Sequence, residues 1–159
     1  MSVAFKKEQD AESEAANLPD RPISAAPNLV TPKGMEQIEA ELASARAAYS
    51  AAQTQGGVET DRTAMARATR DLRYWSARRG SAQLVEAAPS AEALVFGGSV
   101  TFTREDGRVQ TFRIVGEDEA DPKLGAVSYV SPLAQALLGK AVGDTAVVGG
   151  GEVEITGLG

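Results

Sequence analysis

The stretch MEQIEAELASARAAYSAA (residues 35–52) and its counterpart MARATRDLRYWSARRGSA (residues 65–82) decide the architecture of the N-terminal half. In the first, Met35, Ile38, Leu42, Ala45, Tyr49 and Ala52 recur at alternating steps of three and four. In the second, Met65, Ala68, Leu72, Trp75, Arg79 and Ala82 repeat the spacing, with Arg79 interrupting the apolar seam. Such an alternation keeps one narrow stripe of a helix against a partner. Gln55, Gly56 and Gly57 lie between the segments, and so short a loop makes the partner the next helix, folded back antiparallel. The expectation is a thin two-helix hairpin, with little room for a pocket, that carries its tip far from its base.

Local signals set the helix ends. Thr31 is an N-cap residue, and Pro32 fits the first helical position, where its missing N–H costs nothing. Gly56 and Gly57 stop the first helix, Thr60 or Asp61 caps the second, Gly80 weakens its end and Pro89 closes the segment. Tyr74 and Trp75 read as seam packing. Residues 1–28 read as an acidic tail, disordered or extended, with Glu8, Asp10, Glu12 and Glu14 among Ala, Ser and Gln, and with Pro19, Pro22 and Pro27 interrupting any helix. A short helix over 8–16 would have nothing apolar to bury. The stretch Leu18-Pro19-Asp20-Arg21-Pro22-Ile23 is suited to lie extended along a neighbour.

Composition removes several classes of function. The 159 residues suffice for one domain or two small ones, and hydrophobic residues make up 43% with aromatics at 5%. There is no Cys and no His, hence no disulfide framework, no thiolate site, and neither the commonest general base nor the commonest zinc ligand. Any catalysis would have to rest on carboxylates, Lys, Tyr or a borrowed metal. No run of about 18 apolar residues exists, so no membrane span is expected. The N-terminus carries no apolar signal segment, which implies a cytoplasmic address. The net charge of -6 weighs against a protein that coats bare nucleic acid. Arg62, Arg67, Arg70, Arg73, Arg78 and Arg79 nonetheless gather on the second helix against only Asp61 and Asp71. Arg62, Arg67, Arg70 and Arg73 are therefore candidates to face nucleic acid, with a solvated helix face as the alternative.

From residue 94 the period changes to two. Val100 and Phe102, then Phe112 and Ile114, alternate with polar neighbours across the turn signal Asp106-Gly107. Residues 126–130 read as another strand, Ser131-Pro132 opens a short helix through Leu138, and Thr145–Val148 and 152–156 form a last hairpin. The expectation is an α+β domain over 94–159, with four or five antiparallel strands and the helix on one face.

Several blocks in series now resemble one family. Leu29-Val30-Thr31-Pro32-Lys33-Gly34-Met35 leading into the first helix, Val95-Phe96-Gly97-Gly98-Ser99-Val100, Phe112 to Asp121, Ser131 to Lys140 with Val142-Gly143-Asp144, and Gly150-Gly151-Glu152-Val153-Glu154 resemble the Gre transcription elongation factors, GreA and GreB. The resemblance covers 29–158 and omits the tail. It implies an N-terminal antiparallel coiled-coil hairpin, residues 29–86, and a C-terminal domain of FKBP-like fold, residues 94–159. It further implies that the globular domain docks on bacterial RNA polymerase at the secondary channel. The hairpin then brings acidic tip residues to the active centre, where they help hold an Mg²⁺ shared with the polymerase during cleavage of backtracked RNA.

On this sequence the tip acids are Glu59 and Asp61, and the docking candidates are Glu117, Asp118, Glu119, Asp121, Ser131 and Pro132. The resemblance implies an accessory factor with no catalytic residue and no intrinsic cofactor of its own, a monomer that meets nascent RNA or DNA only through the polymerase. Two departures stand out. The family tip reads Gly-Asp-x-x-Glu-Asn-Ala, whereas Gly57 here is followed by Val58, with Asp61 at the Glu position. Each arm is also about one heptad shorter than the family pattern, a loss of roughly 10 Å of reach. A Gre-fold regulator that occupies the channel without cleavage, and an interaction module for another partner, are the alternatives. The FKBP-like fold does not imply prolyl isomerisation, because fold does not carry function.

Overall fold

The computed structural model describes residues 18–54, 60–86 and 90–159, with Thr60 and Asp61 described by their backbone alone. The tip acid Glu59, the stop at Gly56 and Gly57, Pro89 and the short helix over 8–16 lie outside the described residues. The described residues form two compact units, one of 18–25 with 38–81, the other of 26–37 with 82–159.

The first unit is built on α1 (Pro32–Thr54) from Ile38 onward and on α2 (Thr60–Ser81), while the first turn of α1 belongs to the second unit. Ile38, Leu42 and Ala45 are buried, and Tyr49 and Ala52 half-buried, so the seam read from the three-four spacing is the face that α1 hides. On α2, Ala68 is buried and Met65, Leu72 and Trp75 half-buried. The helices run antiparallel: Arg79 near the end of α2 pairs with Glu39 near the start of α1, Nε to Oε1 at 3.2 Å. Arg79 therefore does not sit in the seam. Its long stem carries the charge out to an exposed carboxylate, and the arginine that becomes buried is Arg78, at 2% exposure.

A second expectation fails more instructively. An open groove of about 450 Å³ runs between the helices, lined by Ala45, Ala48, Ala52, Ala64, Ala68 and Trp75 among others. Close packing requires side chains to fill the interhelical space. Alanine fills it only where the backbones approach closely, and here they leave a channel.

In the second unit, β1 (Leu29–Val30) pairs in parallel with β2 (Gln83–Leu84). Parallel neighbours need a crossover, and the pair of helices supplies it. The main sheet contains β3 (Ser99–Arg104), β4 (Val109–Val115), β5 (Ala126–Ser128), β6 (Thr145–Val148) and β7 (Gly151–Leu158), in the order β5-β4-β3-β7-β6. Val100, Phe102, Ile114, Val153 and Ile155 are fully buried, as the period-two pattern requires. Opposite the step from Thr101 to Phe102 the register with β7 shifts. That bulge changes the parity of β7, so Leu158 rather than Gly157 packs against the core. The helix α3 (Pro132–Leu137) adds Ala134 and Leu137 to the same core.

The all-antiparallel expectation is wrong at one edge. β5 runs parallel to β4, with Arg113 opposite Ala126 and Val115 opposite Ser128. Between them a 3-10 turn (Pro122–Leu124) ends at Gly125, whose φ of 78° is the left-handed conformation glycine tolerates. This loop carries the chain back before β5 begins, which a tight hairpin cannot do. The Asp106-Gly107 turn is as read, with Gly107 at φ 86° and Arg104 N bonded to Arg108 O at 2.8 Å.

Candidate functional site

Two surfaces carry the residues singled out in the sequence, one in each unit. On the first, the arginines of α2 differ in how they are engaged. Arg62 and Arg67 are exposed. Arg70 is half-buried and its Nε lies 3.2 Å from Asp71 Oδ1. Arg73 donates from Nη1 to Asp20 Oδ1 at 3.2 Å. Asp20, in the stretch before α1, thus meets α2.

Arg21 is the residue that sequence reading missed. Its guanidinium stacks over the Tyr74 ring at 3.8 Å, approaches Trp75 at 5.4 Å, and lies 3.6 Å from Asp71 Oδ1. Tyr74 and Trp75 meet edge to face at 4.9 Å. Trp75 lines the interhelical groove, while the face of Tyr74 is covered by Arg21 and not by the seam. No local signal marks Arg21, because its partners lie some fifty residues away.

On the second unit the acidic run 117–121 is not a uniformly solvated turn. Glu119 is buried. Its Oε1 accepts from Thr31 Oγ1, and its Oε2 lies 3.0 Å from Arg113 Nη2 as an ion pair without hydrogen-bond alignment. Glu117 and Asp118 are half-buried, and Asp121 is exposed. Ser131 caps α3 by accepting from Ala134 N at 3.2 Å, which leaves Pro132 exposed at the first helical position. Leu124, 83% exposed on the 3-10 turn, is the largest apolar side chain this loop presents. Among the described residues no three His, Cys, Asp or Glu side chains gather as metal ligands, and no helix is long and apolar enough to cross a membrane. Asp61 belongs to the first turn of α2.

Residues 89–156 match the family described as transcription elongation factor, GreA/GreB, C-terminal. Over that C-terminal stretch the chain is similar to the GreA/GreB family. Transcription elongation factor GreA of Anaeromyxobacter sp. (strain K) is 44% identical over 87 residues, which are 52% of this chain and 51% of that one. GreA of Alkalilimnicola ehrlichii is 48% identical over 79 residues, 46% of this chain and 50% of that one. The chain thus spans about half the length of the curated GreA relatives it matches. Among solved structures, the GreA factor homolog 1 protein of Thermus thermophilus aligns over 84% of this chain and 99% of that one, at 19% identity and a TM-score of 0.41. The GreA/GreB factor from Nitrosomonas europaea aligns over 84% and 98%, at 18% identity and a TM-score of 0.38.

Proposed function

We propose that this chain is a GreA-type transcription elongation factor, an accessory to bacterial RNA polymerase with no catalytic residues of its own. The observation that carries the reading is the combination in one chain of a GreA/GreB C-terminal domain with an antiparallel pair of helices of 23 and 22 residues. At 1.5 Å per residue each helix is about 33 Å long, a length suited to a narrow channel. Of the docking candidates, Asp121 and Pro132 are exposed and are the ones offered to the polymerase, with Leu124 beside Asp121 in sequence. Glu119 serves the interior. Glu59 and Asp61 remain the tip acids. Mg²⁺ takes oxygen ligands in octahedral geometry, so two carboxylates act only by completing a site that the polymerase supplies.

A second reading, occupancy of the channel without cleavage, is favoured by one observation: Val58 stands where the resemblance places an acid. Both readings are tested by retention of core polymerase on the immobilised protein, followed by incubation with backtracked complexes. Shortened RNA that disappears with Asp61→Ala supports the elongation-factor reading with cleavage. Binding with slowed synthesis and no shortened RNA supports channel occupancy. Failure to retain polymerase overturns both.

A further inference from the structure

We infer that the open edge of β6 takes up, as an added strand, an extended peptide segment in which basic and apolar residues alternate. The inference stands apart from the polymerase reading, since it rests on one sheet of the second unit.

Three observations carry it. The first is the edge itself. β6 ends the strand order, with β7 on its one paired side. Thr145 to Val148 run opposite Glu154 to Gly151, and just before them Ile155 N donates to Asp144 O at 2.9 Å. In an antiparallel pair the residues alternate between bonding to the partner strand and facing away from it. Asp144, Ala146 and Val148 therefore bond inward to β7, while Thr145 and Val147 hold their N–H and C=O groups outward. The Gly149-Gly150 turn, with φ 62° and 81°, is the two-residue type that closes on a bonded Val148–Gly151 pair, which gives the same parity. Among the described residues no backbone partner engages the outward groups. The strand Thr145-Ala146-Val147-Val148 also lacks the lysine, proline or inward charge that natural sheets place on an exposed edge. Such an edge is a template for strand addition.

The second is what the two sides of an added strand would meet. Its side chains alternate between the faces of the sheet. On the core face they would extend the cluster in which Val148 is buried and against which Ala146 packs, so apolar side chains fit there. On the outer face they would lie beside Thr145 and Val147, both exposed, Val147 by 69%.

The third is charge on that outer face. A cavity of about 290 Å³ adjoins Thr145 and is lined also by Thr103, Glu105, Glu152 and Glu154. Thr103, Glu154 and Thr145 stand in one row across β3, β7 and β6, and Glu152 stands opposite Val147. The three glutamates are exposed. Arg104, which also lines the cavity, is engaged elsewhere, by Gln110 and by Val148 O at 3.4 Å. Strands lie about 4.8 Å apart, so an added strand would run about 10 Å from β7, a gap that a lysine or arginine and a glutamate close between them. Complementary charge of this kind sets register and steers encounter. A second copy of this chain joined edge to edge would bring its own Glu152 and Glu154 instead, so charge favours a basic segment over self-pairing.

The test uses the full chain and the end-blocked peptide Lys-Val-Lys-Val-Lys, with amide hydrogen exchange read residue by residue. Excess peptide should slow exchange at Thr145 and Val147 and leave Ala146 and Val148, already bonded to β7, unchanged. The peptide Lys-Lys-Lys-Val-Val, of the same composition without alternation, should bind several-fold more weakly. Val147→Pro removes an outward N–H that β7 does not use and should abolish the protection of Thr145. Glu152→Gln with Glu154→Gln, which leaves the backbone edge intact, should weaken binding several-fold, as should about 0.5 M salt. Unprotected Thr145 and Val147 in excess peptide overturn the inference, as does equal binding of the two peptides or binding indifferent to the glutamates and to salt. Protection that appears with rising protein concentration alone overturns it too, because a second copy would then occupy the edge.

Discussion

Thr31 Oγ1 donates to Glu119 Oε1 across 88 positions of sequence, and the same Thr31 oxygen accepts from Gly34 N at 3.0 Å. One hydroxyl thus caps the first turn of α1 and ties that turn to the loop after β4. The carboxylate also sits at a helix N-terminus, where the macrodipole favours negative charge. Gly34 makes room for it, because a Cβ there would lie 2.8 Å from Glu119 Oε1.

Removing the Glu119 carboxylate should therefore destabilise the protein. Glu119→Ala is expected to cost about 2 kcal/mol, and Thr31→Ala about 1 kcal/mol from the lost cap. Because both act on one contact, the double variant should lose less than the sum. Chemical denaturation of the four proteins measures this, and strict additivity would show that the two side chains do not interact.

Gly116 is a position where shape rules. A Cβ on it would meet Leu29 O at 2.3 Å, a backbone atom that cannot swing aside. Gly116→Ala should cost about 1–3 kcal/mol by overpacking. Gly151→Ala is the control, since nothing lies within 4 Å of its added carbon. It should change stability by no more than about 1 kcal/mol. Equal thermal midpoints for the two variants would contradict the close approach of Gly116 and Leu29.

The interhelical groove predicts a gain. Ala52 lines it and is half-buried. Ala52→Leu places apolar carbons in space that alanine leaves open, and should stabilise the first unit by about 1 kcal/mol. Thermal unfolding followed by helix ellipticity checks the sign, and a lowered midpoint would mean that the groove cannot accept the larger side chain.

The β3–β4 turn carries a pH signature. Arg108 N bonds to Asp106 Oδ1 at 3.0 Å and Arg108 Nε to Oδ2 at 2.6 Å. The backbone N–H first, and the guanidinium second, hold the Asp106 carboxyl below its ordinary value of 3.8. A lowered folded value means that the turn's added stability is complete above the ordinary value and is lost as pH falls through the folded one. Carbon-13 titration of the side-chain carboxyl should place its midpoint below that of an aspartate in an unfolded peptide. In Arg108→Ala the midpoint should rise, although the backbone bond keeps it somewhat depressed.

Much of this architecture is legible in the chain because it arises from local periodicity. The three-four spacing of Ile38, Leu42 and Ala45 names the buried face of α1, the alternation of Val100 with Phe102 names the core face of β3, and Thr31, Ser131 and Asp106-Gly107 announce their caps and turn by chemistry confined to a few residues. What tertiary structure alone decides involves partners distant in sequence or the filling of space. Glu119 reads as one acid in a surface run until Thr31 and Arg113 enclose it, and Arg21 is an ordinary tail residue until Tyr74 comes beneath it. The direction of β5 depends on the path of a ten-residue loop, and the groove depends on the distance between helices. A pattern of apolar positions specifies which faces meet but not how closely, because spacing along a chain contains no term for the volume between its parts.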